Sequence, residues 1–268
     1  MNQFIKPMSE RIFTPYVLLW PFTPFAIWLL FFQSVDNQAW FLRINTYTSN
    51  YPDILWTGLS LFGNGWALFA LTLPLLLVAP KNFYACLISG LCAALTSMWL
   101  KSWADTPRPA GIIDHQLFHL IDQPLLSNGM PSGHTMTAFT IAFAILYTIP
   151  KIQRSRWYWL ILPAIAAGLS RIAVGAHWVE DVLIGSAVGM CCGLVGPLLI
   201  NLVPSKYLAL SAWPAKVVLL ASVFCLYMLI FETLDFLMNR PIQNILVLIV
   251  LTTWMIIARQ LMQIKKSS

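Results

Sequence analysis

Long apolar runs, separated by short polar stretches, dominate the chain. Crossing a bilayer as a helix takes about 20 apolar residues. Eight runs approach that length, at roughly 15–33, 54–79, 83–100, 133–149, 157–175, 178–200, 214–234 and 242–261. The pattern predicts an all-α fold, a polytopic transmembrane helical bundle. Pro15, Pro21 and Pro24 fall in the first run, where membrane helices tolerate proline. The second run is interrupted by Gly63-Asn64-Gly65, which predicts a tilted or re-entrant first part; this break either approaches a ligand or serves packing. Between the fifth and sixth runs the connection is so tight that the two helices are expected side by side and antiparallel. The third and fourth runs are joined by a loop of about 30 residues. In it, Ile112 to Asp122 has helical apolar spacing and predicts a short amphipathic helix in the interface. No repeat or linker divides the chain, so residues 1–268 are expected to form one membrane domain.

Composition agrees with the pattern. Of 268 residues, 59% are hydrophobic and 10% charged, with mean hydropathy +0.73, whereas a soluble domain is about a quarter charged. The net charge of +6 does not point to nucleic acid, because the basic residues are scattered over loops and form no stripe interleaved with aromatics. Many of the twelve tryptophans lie near run ends, as an interfacial belt would. Cys86, Cys92, Cys191, Cys192 and Cys225 all sit in apolar runs without paired metal-ligand spacing, and are expected to be buried and reduced. The segment up to Arg11 lacks an apolar core followed by a small-residue cleavage site, so no removable signal peptide is expected.

The basic residues also orient the bundle. Eleven of the 16 Lys and Arg fall at the N-terminus, in even-numbered loops or at the C-terminus; the odd side holds Arg43, Lys101, Arg108, Arg171 and Arg240. The positive-inside rule then puts both termini in the cytoplasm and the odd loops outside, in a multi-pass protein of the cytoplasmic membrane.

Three polar clusters fall on that outer side. Lys101 ends the third run and is followed by Arg108. The sequence Pro131-Ser132-Gly133-His134 opens the fourth run. Arg171 ends the fifth, and His177 and Asp181 open the sixth. Ionisable residues at a membrane are costly and invite a functional explanation. Three cations can hold a phosphate and offset charge that develops on it, two of them with the bidentate arginine fork. Ser132 and the Gly133 amide start a helix, where an anion is favoured. His177 and Asp181, four apart, share a helix face, so the carboxylate can fix the tautomer of a nucleophilic imidazole. His134 can supply a proton. Asp105, Asp114, His115, His119 and Asp122 are expected to be solvated loop residues, and Glu180 a charge at a helix N-terminus.

In order and spacing, the stretches KSWADTPRP, PSGH and SRIAVGAHWVED resemble the three-part signature of the type-2 phosphatidic acid phosphatase superfamily, with all eleven fixed positions matched. The resemblance covers about residues 40–200. It implies a six-helix phosphatase core, with residues 214–268 adding two C-terminal transmembrane helices whose role is unexplained. It also implies that His177 forms a phosphohistidine, Asp181 orients it, and His134 is the general acid. Lys101, Arg108, Ser132, Gly133 and Arg171 would bind phosphate, with no cofactor or metal required. The expected partners are a lipid phosphate and the membrane lipids around it. On this analogy the protein is a lipid phosphatase acting at the periplasmic or extracellular face, with undecaprenyl diphosphate as the first-choice substrate. Lipid A 1-phosphate, phosphatidylglycerol phosphate and transfer to another lipid remain alternatives, as does a non-enzymatic lipid transporter or flippase.

Overall fold

A computed structural model of the protein describes residues 15–32 and 36–267. Lys6, Arg11 and the expectation of an unprocessed N-terminus lie outside the described residues. Within them the regular structure is helical: α1 Pro15–Phe32, α2 Asn37–Thr48, α3 Asp53–Ser60, α4 Gly65–Thr72, α5 Leu75–Val78, α6 Pro80–Ala104, α7 Pro109–Ile112, α8 Gly133–Thr148, α9 Ile161–Ala173, α10 Val179–Ile200, α11 Trp213–Phe231 and α12 Arg240–Ser267, with short 3-10 turns between some of them. All eight apolar runs contain helix. Among the described residues four helical stretches are long and apolar enough to cross a membrane, and a fifth crossing is available if the bent pair in the second run counts as one.

That pair is bent by 70°, and the Gly-Asn-Gly break is the cause. Asn64 takes an extended conformation and its side chain accepts from the Trp66 and Ala67 amides, capping α4 as a fresh helix. Gly63 must lack a side chain, because a Cβ there would lie 2.6 Å from the His134 carbonyl oxygen. The fifth run also differs from a plain span, since residues Lys151–Leu160 wind as a 3-10 helix before α9 begins.

The central packing is α8 against α10, with α6 against both. Small residues on α10 permit it. A Cβ on Gly185 would come within 2.8 Å of the Ser132 carbonyl, and one on Gly189 would overlap the Met136 carbonyl. Close backbone approach of this kind is how helices associate where lipid removes the hydrophobic incentive. The tightly joined α9 and α10 do touch, but each packs more broadly on α8 than on the other.

The C-terminal hairpin of α11 and α12 packs on the broken second span. Leu226, Leu229, Leu234, Leu246 and Val250 belong to the same apolar cluster as Leu61, Ala67, Leu73 and Phe83. Its turn is held by Gln243, fully buried, whose Nε2 donates to the Leu229 and Glu232 carbonyls at 3.0 and 2.8 Å.

Two expectations change here. Residues 112–122 are not an interfacial helix: only His115–Leu117 forms a helical turn. Ile113 and Phe118 instead plug inward against Phe41, Ile172 and Trp178, and buried Asn45 ties the loop down, donating to the His119, Ile172 and Ala173 carbonyls at 2.8–3.2 Å. Of the cysteines, Cys86, Cys192 and Cys225 are buried, Cys92 is half-buried and Cys191 is exposed.

Replacing Gly189 with leucine should destabilise the fold by about 1–3 kcal/mol, because the α8 backbone cannot yield without moving the helix. A lower thermal midpoint in detergent is the expected reading. An unchanged midpoint would show that this close crossing is dispensable.

Candidate active site

The motif residues gather at one end of the bundle, where the last turns of α6 and α9 meet the first turns of α8 and α10. Lys101 lies in the last turn of α6, which stops at Asp105 in the left-handed region (φ 38). The loop that follows folds back on itself, with the Arg108 amide on the Leu126 carbonyl and the Gly129 amide on the Thr106 carbonyl, both at 2.9 Å. This return brings carbonyl oxygens to the cations. Lys101 Nζ donates to the Asn128 carbonyl at 2.8 Å. Arg108 donates to the carbonyls of Ser127 (2.8 Å), Asn128 (3.3 Å) and Ala176 (3.2 Å).

His177 occupies the turn between α9 and α10 and is only 2% exposed. Its Nδ1 lies 3.0 Å from Asp181 Oδ2, and its Nε2 lies 3.3 Å from Arg108 Nη1. A guanidinium can only donate. Nε2 must therefore carry the lone pair, and Nδ1–H must face the carboxylate. Asp181 is itself fixed, because the same Oδ2 accepts from the Trp178 amide at 3.0 Å. Burial, then the positive charges of Arg108, Arg171 and Lys101 and the neighbouring His134, hold His177 well below the usual histidine pKa. The ring is thus neutral and fixed in one tautomer.

His134, at the start of α8, turns its Nε2 to Asp235 Oδ2 at 2.9 Å. Asp235 comes from the turn between α11 and α12, and nothing in the three motifs announces it. Its Oδ1 accepts from Asn64 Nδ2 at 3.1 Å and its Oδ2 from Ser60 Oγ at 3.4 Å. Burial alone would raise this carboxyl, but the charge and hydrogen bond of His134, the charge of Arg171 and the Asn64 bond outweigh it. The net result is a carboxylate held below its ordinary range. Arg171 completes the chain: Nη1 donates to Ser60 Oγ at 2.6 Å, the guanidinium lies 5.8 Å from the centre of the Phe236 ring, and its buried Nε has no hydrogen-bond partner among the described residues.

Lys101, Arg108, His134, Arg171, His177 and Asp235 line one cavity of about 260 Å³, with Gly133 in its wall and Asp122 and Gln123 also facing it. Ser132 is placed differently. It is fully buried and caps α8, its Oγ accepting from Thr135 Oγ1 at 2.9 Å. Asp181 stands behind His177. Among the described residues no three His, Cys, Asp or Glu side chains converge as metal ligands would. The groups facing the cavity are mainly N–H donors, which suit an anion with several oxygens.

Residues 81–203 match the sequence model of the PAP2 superfamily. The matched segment, a little under half of the chain, is of the PAP2 superfamily. Among the proteins that the chain resembles, lipid A 1-phosphatase of Porphyromonas gingivalis is 44% identical over 72 residues, which are 26% of this chain and 16% of that protein. Bacitracin transport permease protein BcrC of Bacillus licheniformis is 34% identical over 94 residues, 35% of this chain and 40% of that protein. Undecaprenyl-diphosphatase of Sulfolobus acidocaldarius is 34% identical over 73 residues, 26% and 33% of the two chains. The chain thus matches less than half the length of each. The crystal structure of LpxE from Aquifex aeolicus superposes with a TM-score of 0.51 at 28% identity, covering 59% of this chain and 92% of that one. A PAP2 type phosphatidylglycerolphosphate phosphatase from Bacillus subtilis gives 0.52 at 22% identity, covering 69% and 98%, and speaks to the fold alone.

Outside the PAP2 motifs, His119 is not a free loop residue: its Nε2 lies 2.8 Å from Asp53 Oδ1. Glu180 does sit in the first turn of α10. Ser60, Asn64 and Asp235 are the site residues that motif matching does not reach. Asp235 does leave a trace in the sequence, since it is a carboxylate in an odd-numbered loop, on the same side as the cluster.

Two measurements test this geometry. Ring-nitrogen NMR of the protein in detergent should find His177 still neutral as pH falls through 6.5, protonating only below; a midpoint at or above 6.5 contradicts the arrangement. Ser60→Ala should lower kcat/KM by about tenfold or more, the value of a hydrogen bond to a charged group, and wild-type kinetics in that variant would show that Arg171 needs no such anchor.

Proposed function

We propose that the protein is an integral membrane lipid phosphatase that works through a phosphohistidine on His177, with undecaprenyl diphosphate as its substrate. The observation that carries this reading is the position of His177, whose Nε2 lone pair faces a cavity rich in cations while Nδ1 is held by Asp181.

In the reaction, Lys101, Arg108, Arg171 and the amide at Gly133 hold the phosphoryl oxygens and offset their charge. His177 Nε2 attacks phosphorus, and Asp181 stabilises the imidazolium that results. As the bond from phosphorus to the leaving oxygen breaks, His134 gives that oxygen a proton. Water then attacks the phosphohistidine, His134 takes the water's proton, and the N–P bond breaks to free His177. Ser132 supports the oxygen-binding amides through its cap of α8.

The cavity suits a phosphate or diphosphate head group and leaves the lipid chain outside, among the helices. A polyprenyl diphosphate meets this requirement, because it carries no bulky group next to its phosphates. A second reading, a lipid A 1-phosphate substrate, is favoured by the 44% identity to the Porphyromonas gingivalis protein and by the likeness to LpxE. A transporter would have use for the cations but not for an oriented His-Asp pair facing a second histidine. The excess of basic residues on the opposite side supports cytoplasmic termini and a site at the outer face of the cytoplasmic membrane.

The full chain, purified in detergent with chelator present, should release phosphate from undecaprenyl diphosphate faster than from lipid A or phosphatidylglycerol phosphate. Alkaline quench should trap phosphate on His177, and His177→Ala should abolish both signals. Preference for lipid A would transfer the substrate assignment to the second reading. No release from any of the three lipids would sink the phosphatase reading.

A further inference from the structure

The C-terminal hairpin of α11 and α12 is packed like a structural addition, yet its turn enters the cavity. Leu234 to Phe236 is braced there by several bonds. The Leu234 amide donates to Gln243 Oε1 at 3.3 Å, Asn239 Nδ2 donates to the Leu234 carbonyl at 3.1 Å, and the Phe236 amide donates to the same carbonyl at 2.7 Å. Between them Asp235 takes the left-handed conformation, with φ 59, which aspartate and asparagine tolerate better than other side chains. The backbone is thus bent so that its carboxylate meets His134, Asn64 and Ser60 together, while Phe236 lies against Arg171. A loop with only a packing role would have no need to bury a carboxylate at this cost.

Resting on the phosphatase reading above, we propose that Asp235 is the positioning residue of the general acid: the hairpin supplies a second His-Asp pair, which holds His134 by Nε2 and reserves Nδ1 for the proton exchanged with substrate. The two pairs are opposite in sense. Asp181 takes Nδ1 of His177 and leaves Nε2 as the nucleophile, whereas Asp235 takes Nε2 of His134 and leaves Nδ1. In the first half-reaction, the proton on Nδ1 goes to the leaving oxygen as the P–O bond breaks and the His177 N–P bond forms. Nε2–H stays on Asp235 throughout, so the pair ends as neutral imidazole and carboxylate. In the second, Nδ1 takes the proton of the attacking water. Asp235 thereby favours the protonated acid against burial, which opposes it most, and against the charges that face His134 from other elements, Arg171 on α9 and Lys101 on α6.

The test compares the full-length wild type with Asp235→Asn, which keeps the left-handed backbone and loses the charge. Two esters are used as probes: dodecyl phosphate, whose alkoxide must be protonated to leave, and p-nitrophenyl phosphate, whose phenolate need not be. At neutral pH the variant should lose about tenfold or more in the single-turnover rate of His177 phosphorylation by dodecyl phosphate, in the range of general-acid effects, and less than about twofold in the same step with p-nitrophenyl phosphate. The alkaline limb of the dodecyl phosphate pH-rate profile should move down by about 1–2 units, the effect of removing an opposite charge at contact distance. Asp235→Glu should restore part of the lost rate. Equal losses on both esters with an unmoved limb would overturn the role of Asp235 and leave phosphohistidine chemistry intact, provided the wild type is phosphorylated on His177. A wild type that hydrolyses neither ester and traps no phosphate would remove the phosphatase reading, and this inference with it.

Discussion

Everything at the functional end of this bundle answers to the burial of positive charge. Lys101, Arg108 and Arg171 face one small cavity, and desolvating a cation is costly unless it is paired or fully hydrogen-bonded. Side-chain carboxylates meet little of that need. Backbone carbonyls meet most of it: those of Ser127, Asn128 and Ala176 take up Arg108 and Lys101, which is why residues 105–130 fold back over the end of α6. Arg171 is left with one short bond to Ser60 and a buried Nε without a partner among the described residues. Donors in this arrangement are complementary to a multi-oxygen anion. Burial and then the same charges keep His177 neutral, so the arrangement that suits an anion also leaves the imidazole its lone pair.

The helical runs and the motif residues were legible in the sequence because both depend on local spacing: about 20 apolar residues for a span, and four between His177 and Asp181 for a shared face. What stayed hidden depends on distant pairing. Asp235 lies 101 residues from His134 and 171 from Asn64, and Ser60 lies 111 from Arg171, so no window along the chain contains both partners. The loop at 112–122 shows the limit of periodicity in another way. Ile113 and Phe118 have spacing that suits a membrane-surface helix, but apolar side chains at the same positions can equally plug a gap between helices. Asn45 decides between these by holding the loop backbone at His119 and the end of α9. Cys191 is similar: its place in an apolar run says that it avoids water, not whether protein or lipid surrounds it.

The distance between the two histidines is set by backbone, and this ties the helix packing to the chemistry. Ser132, at the start of α8, donates its amide to the Asp181 carbonyl at 3.0 Å in the first turn of α10, and Gly185 one turn later leaves room for the Ser132 carbonyl. The segment that carries Gly133 and His134 is therefore bonded directly to the segment that orients His177. A reaction in which one histidine attacks while another protonates the leaving oxygen needs both held within a fraction of an ångström of their working positions. Two helices in contact through a glycine and a main-chain hydrogen bond can meet that demand inside a membrane, where loop flexibility would expose unpaired backbone to lipid. The small residues on α10 thus set the geometry of the candidate site as much as the fold: a bulkier residue at Gly185 would displace the Gly133 amide, His134 and Asp181 together.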